Sequence, residues 1–148
     1  MVWWKFWEQQ SGGSRSPDYY EEGVALVRQE MYHDALTSFR LALRHGADDA
    51  ATLEQMAVVY THIGLPEDAI KAYSEALDLR PRSTSAHYGL AFLLLKAGQP
   101  DGAAKHLSFF LDHAVVDRED PRQVEHAQRT LARLAAEGGD ESAHTPPT

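Results

Sequence analysis

The spacing of its small and aromatic residues constrains this chain more than any other feature. Ala35, Ala69 and Ala103 stand 34 residues apart, and so do Gly23, Ala57 and Ala91. The same shift relates Leu26 to Tyr60 and Leu94, Phe39 to Tyr73 and Leu107, and Leu43 to Leu77 and Leu111. No insertion interrupts the register over roughly a hundred residues, a period that belongs to stacked repeats. A unit of this size cannot bury its own apolar face and has to stack on its neighbours.

The middle unit, residues 50–83, shows the logic of one repeat. Two helices of about a dozen residues each must cross closely. Small Ala57 and Ala69 let the backbones approach, and bulky Leu53, Tyr60 and Tyr73 fill the space beside them. Gly64 is placed to end the first helix in the left-handed conformation that glycine adopts without strain. Pro66 falls in the first turn of the second helix, where its missing N–H is harmless. Pro81 stops that helix.

Counted from Ala50 as position 1, Leu53, Met56, Ala57, Tyr60, Gly64, Ala69, Tyr73, Ala76 and Pro81 occupy positions 4, 7, 8, 11, 15, 20, 24, 27 and 32. This pattern resembles the tetratricopeptide repeat (TPR). Only Leu53, where the family favours Trp, and Met56, where it favours Leu, depart from it, and both stay apolar. The resemblance implies an all-α, right-handed αα superhelix of three helix pairs, residues 16–49, 50–83 and 84–117. In the first unit, Glu22, Glu30 and Ala47 replace the usual Leu, Gly and Pro, with helices expected over 17–30 and 32–44. In the third, helices are expected over 85–97, closed by Gly98, and from Pro100 to near His113. His87 at position 4 reads as a packing residue rather than a ligand.

A capping helix is expected over 121–137, with Asp120 as N-cap and Pro121 at the first helical position. Its apolar stripe is Val124, Ala127, Leu131, Leu134 and Ala135, and Arg122, Glu125, Arg129 and Arg133 fall on the other side. Gly138 and Gly139 are expected to end it, leaving 138–148 as a disordered tail. The TPR domain thus spans 17–137. Before it, residues 1–16 form an aromatic segment followed by a Ser/Gly linker. All three tryptophans, Trp3, Trp4 and Trp7, lie there with Phe6. Such a cluster suits a bilayer interface, a greasy pocket on a partner, or the open end of the first repeat. It lacks the basic start and apolar core of a secretory signal.

Composition excludes several functions. The 148 residues carry a net charge of −8, which argues against a nucleic-acid partner. With no cysteine there is no disulfide, thiolate metal site or cysteine nucleophile. No apolar run approaches a membrane-spanning length. The eight histidines scatter over different helices without a zinc-helix pair, so no metal or other cofactor is expected. No Gly-x-Ser-x-Gly elbow or phosphate loop is present, and the chain reads as a non-enzyme.

The resemblance implies that positions 5, 9, 12 and 13 of each first helix face a concave groove. The basic clamp with which many TPR proteins hold acidic chaperone C-termini is missing, because Tyr20, Val24, Glu54, Val58, Tyr88 and Phe92 occupy its positions. The groove residues expected to contact a partner are Tyr20, Val24, Arg28, Val58, His62, Tyr88, Phe92, Leu95 and Lys96. An extended peptide or partner helix with apolar anchors fits that set. The expected function is a cytoplasmic protein–protein interaction scaffold, with the Trp-rich N-terminus as a second attachment. The alternative is a membrane-peripheral subunit or assembly factor of a membrane protein complex, held by those aromatics.

Overall fold

The computed structural model describes residues 18–141. Trp3, Trp4, Phe6, Trp7 and residues 142–148 lie outside the described residues. Within them the chain forms seven helices and no strand: α1 (Tyr19–Arg28), α2 (Tyr32–Arg44), α3 (Asp49–His62), α4 (Pro66–Leu79), α5 (Thr84–Lys96), α6 (Pro100–Ala114) and α7 (Pro121–Glu141). Helices pack as the pairs α1–α2, α3–α4 and α5–α6, each pair stacked on the next, with α7 against α6. The first helices of the pairs also touch one another, α1 with α3 and α3 with α5, so they share one face of the αα superhelix.

The repeat register is the packing register. Ala35, Ala69 and Ala103 are fully buried, as are Ala57 and Ala91. Gly23, the counterpart of the last two, is buried against the Phe39 ring, which leaves no room for a Cβ. Phe39, Tyr73 and Leu107 fill the space beside these small residues, one in each of three core clusters. Phe110, which takes the place of the usual alanine, is fully buried under α7 and packs with Ala114 and Ala127.

The turns repeat as well. Met31 N–H donates to Leu26 O, Leu65 N–H to Tyr60 O and Gln99 N–H to Leu94 O, each at 2.9 Å. These six-residue closures satisfy the last carbonyls of α1, α3 and α5, and each needs a left-handed residue just before the donor. Gly64 and Gly98 supply it with φ of 78° and 75°, whereas Glu30 is forced to φ 59°. The expected replacement of glycine by glutamate in the first unit is therefore real in sequence but not in conformation.

Helix starts follow the same economy of satisfied donors. Asp48 caps α3 by accepting from Ala51 N–H at 3.0 Å and also meets Arg80, just past the end of α4, at 2.6 Å. Those contacts, the Ala51 N–H first, hold its carboxyl below the usual range. Asp120 accepts from Arg122 N–H at 2.9 Å at the start of α7. The stop expected at Gly138–Gly139 is not taken, and α7 continues to Glu141. Glycine lowers helix propensity without forbidding helical φ and ψ, and no proline stands beside these two to impose an end.

His87 is buried, as a packing residue should be, and it is also hydrogen-bonded. Its Nε2–H donates to Pro81 O at 2.9 Å, because a carbonyl only accepts. Its Nδ1 is then an acceptor, so His106 Nδ1–H donates to it across 2.8 Å. Phe109 stacks on the His87 ring at 3.9 Å. Burial first, then repulsion between rings, lowers both histidine pKa values: His113 acts on His87, and His87 on His106. The Pro81 bond opposes this for His87.

Two outcomes are expected. Glu30→Gly relieves the left-handed penalty and should stabilise the fold by about 1 kcal/mol, read by urea denaturation. Loss of stability would contradict the assigned turn. Because both histidines are held below the ordinary imidazole range, the unfolded chain takes up their protons first as pH falls. Their contribution to stability is complete above about pH 6.5 and is lost as pH falls below that through their lower folded values. His106→Gln, which still offers a donor to His87, should flatten the fall in melting temperature between about pH 7.5 and 5. An unchanged slope would place the pH sensitivity elsewhere.

Candidate partner-binding groove

Each groove residue owes its position to the repeat. Positions 9, 12 and 13 of α3 and α5 lie one helical turn or less apart, on the face that the second helices leave uncovered. There Val58, Thr61 and His62 of α3 and Tyr88, Gly89, Phe92, Leu93 and Lys96 of α5 line a pocket of about 280 Å³, floored by Tyr73 of α4 and walled by His126 of α7. Gly89 is required at its position, since a Cβ there would collide with the Tyr73 ring. A second pocket of about 410 Å³ adjoins it, formed by Phe92, Leu95 and Lys96 with His126, Arg129, Thr130 and Arg133 of α7. The two share Phe92, Lys96 and His126.

Phe92 and His126 stack with ring centroids 4.5 Å apart and planes within 8°. The Tyr88 hydroxyl shares a hydrogen bond with His126 Nδ1 at 3.0 Å, and its ring packs against Phe92 and Phe110. Burial, then the Asp120 charge, pushes the Tyr88 phenol above its usual range, so it stays a neutral hydrogen-bonding group. Tyr73, more deeply buried, is pushed up to about 12. The groove floor is thus aromatic, neutral and preorganised.

Of the residues expected to meet a partner, Val58, His62, Tyr88, Phe92, Leu95 and Lys96 are brought together here. Tyr20 and Val24 are not. They pack half-buried against the Phe39, Met56 and Val59 cluster, with the Tyr20 ring 6.1 Å from Phe39. Neither lines the two pockets. Arg28 is exposed in the last turn of α1, away from both pockets. Glu54, at a nominal groove position, accepts hydrogen bonds from Ser83 at 2.6 Å and Ser85 at 2.5 Å and ties α3 to the start of α5.

Sequence reasoning missed the contribution of α7. Arg129 and Arg133 fall on the side expected away from the apolar stripe, and His126 has no assigned place in that reading, yet all three line the groove. The available signal was their spacing: 126, 129 and 133 follow the i, i+3, i+7 rule of one helix face. Among the described residues no group of three or more His, Cys, Asp or Glu is placed to hold a metal ion, and no helix is long and apolar enough to cross a membrane. His126→Ala removes one stack and one hydrogen bond and should lower stability by about 1–2 kcal/mol while leaving the helix content unchanged by circular dichroism. A neutral effect would detach α7 from the groove floor.

Comparison with known proteins agrees with this architecture. Models of the tetratricopeptide repeat match residues 20–83 and 64–108, which together cover more than half of the chain. A photosystem I assembly protein Ycf3 from Synechococcus sp. (strain CC9902) is 31% identical over 84 residues, 55% of this chain and 49% of the relative. The chain therefore spans about half the length of that relative. In fold it is similar to PcrH in complex with the chaperone binding region of PopD, with a TM-score of 0.71, 20% identity and coverage of 84% of this chain and 97% of that one. The Sgt2 TPR domain from Aspergillus fumigatus gives a TM-score of 0.69 at 18% identity, covering 90% and 87%. The chain belongs to the tetratricopeptide repeat family.

Proposed function

We propose that this protein is a non-catalytic adaptor that holds a segment of a partner protein in the groove between α3, α5 and α7. The observation that carries this reading is the pair of adjoining pockets floored by Phe92. Half-exposed aromatic surface set between fixed helices is the kind of anchor site that dominates peptide recognition. The groove-lining helices are locked by buried alanine contacts, so little ordering is needed on binding. PcrH, of similar fold, is seen holding a binding region of another protein, which supports the same use here.

A second reading has its own support. The Ycf3 relatives are named as assembly proteins of photosystem I, and Trp3, Trp4, Phe6 and Trp7 offer a second attachment suited to a membrane surface or membrane protein. We infer an assembly factor for a membrane-associated complex as the special case of the adaptor, with the groove and the N-terminus acting as two linked weak sites.

Immobilised full-length chain should capture its partner from a lysate of the source cells, and Phe92→Ala should weaken that capture about 30-fold, the loss expected for a hot-spot aromatic. Equal capture by the variant, with its fold intact by circular dichroism, would remove the groove from the function. Deleting residues 1–10 should release the protein from the membrane fraction while groove binding persists. Retention there would sink the assembly-factor reading.

A further inference from the structure

The charge lining the groove is opposite to that of the chain. Acidic residues outnumber Lys and Arg by 22 to 14, yet neither groove pocket is lined by a single Asp or Glu. The second pocket instead gathers Lys96, Arg129 and Arg133. We propose that the partner segment is acidic, and that its Asp or Glu side chains seat on Lys96, Arg129 and Arg133 beyond an apolar anchor held at Phe92. This rests on the groove reading above and names the chemistry of its occupant.

The three cations come from two helices that meet at this end. Lys96 closes the last turn of α5 and forms no ion pair among the described residues. Arg129 and Arg133 stand one turn apart on α7, so both project over the same pocket. Each has an acidic neighbour on its own helix, Glu125 at 3.0 Å from Arg129 and Glu137 at 3.9 Å from Arg133. Neither glutamate lines the pocket, and the arginine side chains remain 72% and 64% exposed. A guanidinium carries five donors, so an arginine holding one carboxylate can accept another.

Three cations gathered at one end of the groove steer an acidic segment toward it and speed its capture. One terminal carboxylate would engage only part of a shelf of three cations spread around 410 Å³, which favours a run of acidic side chains.

The test is selection of random twelve-residue peptides displayed on ribosomes against the full-length chain, in parallel with R129E/R133E and R129Q/R133Q. Peptides from the wild-type selection should pair an aromatic or large aliphatic residue with two or more Asp or Glu on one side. They should lose about fivefold or more in affinity for the glutamine variant, and weaken with added salt. The charge-reversed variant should return Lys and Arg at the same places. The glutamine variant guards against fraying of α7 by the new like-charge pairs. Apolar anchors without acidic enrichment, the same on all three proteins but lost on Phe92→Ala, would overturn the acidic shelf and leave the groove standing. Peptides indifferent to Phe92→Ala, or none recovered, would overturn both. Trp-rich, acid-free peptides whose affinity rises on deleting residues 1–10 would assign the groove to the chain's own N-terminus and overturn the proposal.

Discussion

The structure depends on how closely two helix backbones can approach. In each pair that distance is set by small residues at repeat positions 8 and 20, buried without exception: Gly23 and Ala35, Ala57 and Ala69, Ala91 and Ala103. Large side chains there would force the helices apart, because a packed interior has no slack to absorb extra volume. The close crossing lets one aromatic or leucine per repeat, Phe39, Tyr73 or Leu107, seal the pair and touch the next. The stack of three helix pairs follows from repeating that contact with a constant offset.

One consequence is the groove. Because the first helices touch each other along the stack while the second helices stand behind them, residues one turn apart on α3 and α5 are left half-covered. The repeat creates a surface that is apolar enough to bind and too rigid to collapse on itself. The last unit differs from an ideal repeat in having α7 as its neighbour. That helix buries Ala127 and covers Phe110, as a lid must, and at the same time turns His126, Arg129 and Arg133 toward Phe92. The same element therefore ends the core and shapes the groove.

Most of the fold was legible because the repeat pattern specifies both large and small positions. The boundaries of α2 and α5 fell within a residue of their expected places, and Gly64 and Gly98 marked turns that the hydrogen bonds bear out. What stayed hidden was conformation that overrides composition. Glu30 takes a left-handed shape because the turn closing α1 demands it, and Gly138 and Gly139 stay helical because nothing nearby forbids it. In the groove, Val58 and Phe92 could be placed from their repeat positions. Val24, at the same position in the first unit, and Tyr20, at the position of Tyr88, line neither pocket, since repeat position alone does not say what a side chain packs against. The cationic wall was invisible for the same reason: α7 lies outside the repeat, so no register says which of its faces meets α5.

The most direct measurement is methyl-resolved NMR of the full chain titrated with a bound peptide. Val58, Thr61, Leu93 and Leu95 line the pockets, whereas Leu43, Leu77 and Leu111 sit on the second helices behind them. Shifts confined to the first set, with Arg129 and Arg133 side-chain signals moving alongside, are the predicted result. Shifts centred on Leu43, Leu77 and Leu111, with the first set unmoved, would place binding on the opposite face and contradict the groove.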